Sequence, residues 1–143
     1  MRLFGHPLHP LLIAFPIGLL ALVPLWDVLS WFAWPGQTAI VADYSEIAGL
    51  IGAALAILTG LVDFAKLSDE RAVKIALYHA TAVVTSVCFF GVALALRGRS
   101  ERVSVVVTAL DATGAAVLAV AGWFGGHLVF HHGVAVDDTR RDL

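Results

Sequence analysis

The sequence predicts an all-α integral membrane protein, an up-down bundle of four helices. Of its 143 residues, 59% are hydrophobic, against about 45–50% in a soluble domain. Only 14% are charged, where about 25% is usual. Four stretches reach the roughly 20 apolar residues that a helix needs to cross the hydrocarbon of a bilayer. The mean hydropathy of +0.88 agrees. So apolar a chain cannot stay open in water, which excludes intrinsic disorder. Nine basic residues against eleven acidic ones leave no positive field for phosphates, so nucleic acid is not a partner. One cysteine rules out a disulfide framework or a Cys-rich metal centre. Residues 1–136 are expected to form one four-span domain and residues 137–143 a solvated polar tail.

The first span covers residues 11–32, with Pro10 in the opening turn, where its missing N–H costs nothing. Pro16, Pro24, Asp27 and Ser30 interrupt it. Its apolar run far exceeds a signal-peptide core, and no small-x-small cleavage site follows, so it reads as a retained helix. Trp34-Pro-Gly-Gln37 ends it in a turn. The second span covers residues 47–67, with Asp43-Tyr-Ser-Glu46 before it as a capping box and Asp63 near its end. Ser68-Asp-Glu70 caps the third span, residues 75–96, which carries His79. A polar loop, residues 97–102, leads to the fourth, residues 103–130, which carries Asp111 and His127. Short connections make neighbouring helices antiparallel.

Gly52, Ala56 and Gly60 recur every four residues on the second span, as do Gly122 and Gly126 on the fourth. Small residues at that spacing let helices approach closely in lipid. They serve ordinary packing or make room for a flat cofactor such as porphyrin. Cys88 reads as a small buried hydrophobe. Asp27 and Asp111 fall at hydrocarbon depth, with Thr108 as a hydrogen-bond partner for Asp111 and a proton path toward the histidines as a further reading.

Six basic residues lie on the side of the termini (Arg2, Lys66, Arg71, Lys74, Arg140, Arg141) and three on the other (Arg97, Arg99, Arg102). That bias puts both termini in the cytoplasm. Trp26, Trp31, Trp34 and Tyr44 gather at the opposite face as an aromatic belt.

The chemistry lies in six histidines: His6, His9, His79, His127, His131 and His132. An even number of crossings separates them, so all fall on one side of the bilayer, together with Asp63. His127 and His131, four apart, share a helix face and could meet one metal ion. In His6-Pro-Leu-His9-Pro each histidine precedes a proline, which predicts an extended, stiff segment. His79, at lipid depth, needs an interior partner, for which Asp63 is the candidate. Imidazole suits zinc, copper, iron or haem iron. Solvated headgroup histidines and helix-end histidines beside Gly133 are the bland alternative. No nucleophile–base pair, phosphate loop or paired glycosidase carboxylates occur, so hydrolase chemistry has no footing, and the sequence decides nothing else about enzymatic activity.

The opening Gly5-His-Pro-Leu-His-Pro-Leu-Leu-Ile-Ala-Phe-Pro-Ile-Gly18 and the closing Gly122-Trp-Phe-Gly-Gly-His-Leu-Val-Phe-His-His-Gly-Val-Ala-Val136 resemble the two signature ends of the bacterial membrane family called domain of unknown function 2231. Four spans, Asp27, Asp63 and His79 fit the same pattern. The resemblance matches His9, His79 and His132 to family histidines, and His6 less closely. It departs at Ala14, His127 and His131, where the family commonly has His, Glu and Arg. Relatives joined to Rieske or cytochrome-type domains imply a redox setting in a bacterial inner membrane.

Three readings follow. In the first, b-type haem is held by His79 with His9, His127 or His132, for electron transfer with a redox partner protein. In the second, His6, His9, His79, His127, His131 and His132 supply ligands for binding or transport of zinc, copper or iron. In the third, the chain is a structural or assembly subunit whose histidines only hydrogen-bond. The bilayer and a second copy of the chain complete the expected partners.

Overall fold

A computed structural model describes residues 2–3, 6–98 and 100–134, with backbone alone for residues 2–3 and 6–7. The polar tail and Arg99 lie outside the described residues. A short antiparallel pairing of β1 (Arg2–Leu3) with β2 (His6–Pro7) precedes four helices: α1 (Leu8–Phe32), α2 (Pro35–Phe64), α3 (Glu70–Leu96) and α4 (Val105–His132). All four are long and apolar enough to cross a membrane. Their outer faces are apolar and exposed, with Leu11, Phe15, Leu58, Trp123 and Phe130 among the residues directed outward. In lipid that is the favourable arrangement, since the surrounding solvent is itself apolar.

Local chemistry sets the ends. Pro35 starts α2 at a position that needs no N–H, after Trp34 takes a left-handed turn at φ 48°. Asp69 caps α3 by accepting from the Ala72 N–H at 2.9 Å. Ser104 caps α4 through Val107, and Gly133 closes it in the left-handed conformation that glycine tolerates best.

Two boundaries differ from expectation. α2 begins at Pro35, so Asp43 and Glu46 sit inside the helix and are no capping box. Proline at the first helical turn nucleated the helix earlier than the Asp-x-x-Glu pattern suggested. His9 likewise lies in the first turn of α1, and only residues 6–7 of the expected extended segment are strand. Cys88 is exposed on the outer face, not buried.

The bundle is built from two hairpins. α1 packs chiefly on α2 and α3 on α4, while contacts between the hairpins are sparser. Close approach within each hairpin rests on glycine. A Cβ at Gly49 would sit 2.7 Å from Leu20, and one at Gly114 would sit 3.0 Å from Phe90. Gly52 faces Phe15 and Pro16 in the same way. Gly122 has open space and Gly126 meets only Phe130 on its own helix, so the expected pair on α4 is not the packing pair.

The second hairpin repeats the first. Pro16, Leu20, Val23 and Asp27 are buried on α1, and 70 positions later Ser86, Phe90, Ala93 and Arg97 are buried in turn. Ala42, Glu46, Gly49 and Ala56 on α2 correspond, 65 positions later, to Val107, Asp111, Gly114 and Ala121 on α4. The repeat is one of packing register more than of residue identity.

Candidate functional site

Polar side chains collect at the two ends of the bundle. At the end nearer the termini, the His9 ring uses Nδ1 to reach the Ala56 carbonyl at 2.8 Å, with the Thr59 hydroxyl at 3.4 Å. The His79 ring uses Nδ1 to reach the Ala121 carbonyl, also at 2.8 Å. A carbonyl oxygen only accepts, so each ring carries its proton on Nδ1 and its lone pair on Nε2. Each ring also lies against a glycine one turn beyond that carbonyl. A Cβ at Gly60 would meet the His9 ring at 3.0 Å, and one at Gly125 would meet the His79 ring at 3.2 Å. The two settings are equivalent positions of the repeat.

The remaining histidines gather at the end of α4. The His127 and His131 rings stack with centroids 4.3 Å apart, as their spacing predicted, and His132 lies 5.6 Å from His127. His132 Nδ1 stands 3.5 Å from the Asp69 carboxylate. No group of three or more His, Cys, Asp or Glu among the described residues is arranged to hold an ion. Asp63 lies 3.9 Å from Lys66. The expected His79–Asp63 bond is replaced by the Ala121 carbonyl, which reaches the ring from the adjacent helix. The His6 side chain lies outside the described residues.

At the other end a single guanidinium joins all four helices. Arg97 follows α3 directly and its side chain is only 4% exposed. Its Nη1 donates to Asp27 Oδ1 at 2.7 Å, its Nε to Glu46 Oε2 at 2.8 Å and its Nη2 to Asp111 Oδ2 at 2.6 Å. Asp43 approaches Nε at 3.3 Å from a half-exposed position. Asp27, Glu46 and Asp111 are fully buried. Burial works against the Arg97 charge, but the hydrogen bond to Asp27 and the fields of Glu46, Asp27 and Asp111 outweigh it and hold the guanidinium above its ordinary pKa. Nearby, the Ser30 hydroxyl accepts from Val103 N–H and the Trp31 indole donates to the Val103 carbonyl.

The sequence puts Arg97 in a polar loop and offers Thr108 as a partner for Asp111. Thr108 Oγ1 has no partner, and the group that reaches Asp111 is the guanidinium, through Oδ2. One signal in the sequence could have found the cluster. Arg97 follows His79 by 18 residues, as Asp27 follows His9, and the Glu46–Ala56 spacing of ten recurs at Asp111–Ala121.

A family model described as predicted membrane protein (DUF2231) matches residues 5–138. The chain belongs to that family. No curated protein and no solved structure matches it. The DUF2231 match takes in both hairpins, so the paired histidines and the Arg97 cluster alike belong to the family domain.

Proposed function

We propose that this DUF2231 protein is a membrane electron carrier whose b-type haem is held by His9 and His79. One observation carries the reading: two imidazoles at equivalent repeat positions, each anchored through Nδ1 on a backbone carbonyl at 2.8 Å. Such an outer hydrogen bond fixes the tautomer and turns Nε2 into the ligating atom, as in most histidine-ligated metal sites. Gly60 and Gly125 leave the rings unobstructed where any side chain would crowd them. A pair of neutral imidazoles suits haem iron, whereas a bare zinc ion calls for three or four protein ligands. Bound there, haem would supply one-electron transfer. His127, His131 and His132 serve in this reading as the polar rim of α4, where they meet its C-terminal dipole.

The same reading places the termini in the cytoplasm of a bacterial inner membrane, with a redox partner protein on that side. Arg97 is engaged by carboxylates. With Arg97 held in that cluster, the bias of six basic residues on the side of the termini against three on the other supports the orientation.

Absorption spectroscopy and metal analysis on one detergent-purified sample, after haem-supplemented expression, test the proposal. The expected result is a Soret band that is lost in His79→Ala and in His9→Ala and kept in His131→Ala. A colourless, folded protein overturns it, and stoichiometric metal without porphyrin transfers the site to a bare ion.

A further inference from the structure

The Arg97 cluster does not balance its charge. One guanidinium faces three fully buried carboxyl groups, each from a different helix, with Asp43 as a fourth at the margin. Arg97 satisfies one oxygen each of Glu46 and Asp111. The other two, Glu46 Oε1 and Asp111 Oδ1, have no hydrogen-bond partner, although both residues are wholly buried. The Thr108 hydroxyl, one turn before Asp111 on the same helix face and 94% buried, is also without one. Leaving an ionised carboxylate buried and unpaired is costly enough that such a group takes up a proton instead.

The arrangement also says which acids share it. Glu46 and Asp111 occupy equivalent positions of the two hairpins, and they take two donors of one guanidinium, Nε at 2.8 Å and Nη2 at 2.6 Å, so their carboxyl groups stand side by side. Two carboxylates that close cannot both ionise, whereas a carboxylic acid donating to a carboxylate satisfies both free oxygens with one proton. A metal cation would solve the same imbalance, but the three carboxyl groups are not disposed around a common ion position, and the guanidinium already stands among them.

We propose that Glu46 and Asp111 form a carboxyl–carboxylate pair that binds one exchangeable proton inside the bundle, held in place by Arg97 and open to the aqueous phase on the side away from the termini. A cleft of about 220 Å³, lined by Gly98, Ser100, Arg102 and Val103, opens beside Arg97, the residue that both acids hold. The charged groups around the pair are Asp27 from α1, Asp43 from α2 and Arg97 at the end of α3, while Arg102 lines the cleft. A proton from water on that side adds to the pair, and the pair returns it to the same water.

Infrared spectroscopy of the full chain in detergent at neutral pH decides the matter. The expected spectrum contains the carbonyl band of a protonated carboxylic acid. The band shifts on transfer to heavy water and is absent from the double variant Glu46→Gln/Asp111→Asn. Should that variant fail to fold, the single variants serve, since each keeps one carboxylate beside an amide donor and loses the band. Absence of the band from the unmodified chain overturns the proposal. So does a band unmoved by heavy water, or one that survives at full strength in the variants.

Discussion

The two ends of the bundle are held in opposite ways. At the histidine end each hairpin keeps its imidazole to itself, His9 on α2 and His79 on α4, and neither bond crosses between hairpins. At the arginine end one side chain reaches across, touching carboxylates from α1, α2 and α4. The repeat makes the contrast informative. His9 and His79 are the same residue at equivalent positions, whereas Asp27 and Arg97 are opposite charges at equivalent positions. Under the haem proposal, the identical groups share one ligand between the halves. Opposite charges let the halves bind each other. Hairpin association in lipid gains little from apolar burial, so the arginine end, with Ser30 and Trp31 also bonded to Val103, ties the hairpins by polar contacts that the His9 and His79 bonds do not provide.

The largest test removes the clamp. Arg97→Met strips the guanidinium from three buried carboxyl groups and is expected to cost about 3–5 kcal/mol, the usual penalty for breaking a buried ion pair from one side. Thermal unfolding in detergent, followed by circular dichroism, should show a large drop in midpoint. Arg97→Lys is expected to fall between, because an ammonium cannot fork to several carboxylates as a guanidinium does. An unchanged midpoint for Arg97→Met would mean that the hairpins are held together elsewhere.

A second test uses the repeat itself. Since Glu46 and Asp111 are equivalent, an arginine at position 27 should meet them much as Arg97 does. Asp27→Arg alone is expected to be as damaging as Arg97→Met, because it sets two guanidinium groups side by side. The exchange Asp27→Arg/Arg97→Asp is expected to recover most of that loss. A double variant no more stable than the singles would show that the two positions differ in more than charge.

The fold was legible in the sequence because hydropathy needs only composition and length, and four long apolar runs leave few alternatives. The histidine end was legible too, since counting crossings is enough to put all six on one side. What could not be read was which side chains meet. His79 turned to a backbone carbonyl, and backbone acceptors carry no residue-type signal. Glu46 looked like a cap because Asp43-Tyr-Ser-Glu46 has the local pattern, but Pro35 had already started the helix two turns earlier. Arg97 looked solvated because it adjoins Gly98 and Arg99, and only tertiary structure brings three carboxylates over it. The repeat hid for a related reason: Pro16 stands opposite Ser86 and Leu20 opposite Phe90, so register persists where identity does not.

The smallest expected effects separate the glycines that pack from those that only look as if they do. Gly49→Ala would place a methyl 2.7 Å from Leu20, which is fully buried and has nowhere to retreat. Overpacking of that kind costs about 1–3 kcal/mol, more than the roughly 0.5–1 kcal/mol that alanine returns inside a helix. Gly114→Ala meets the edge of Phe90 at 3.0 Å and should be milder, since it asks for a smaller displacement than the 2.7 Å contact at Gly49. Gly122→Ala meets nothing and is expected to leave the unfolding midpoint unchanged or slightly raised. Four thermal melts, including the unmodified protein, rank them. If Gly122→Ala destabilised as much as Gly49→Ala, the outer face of α4 would have to contact another protein surface and not lipid.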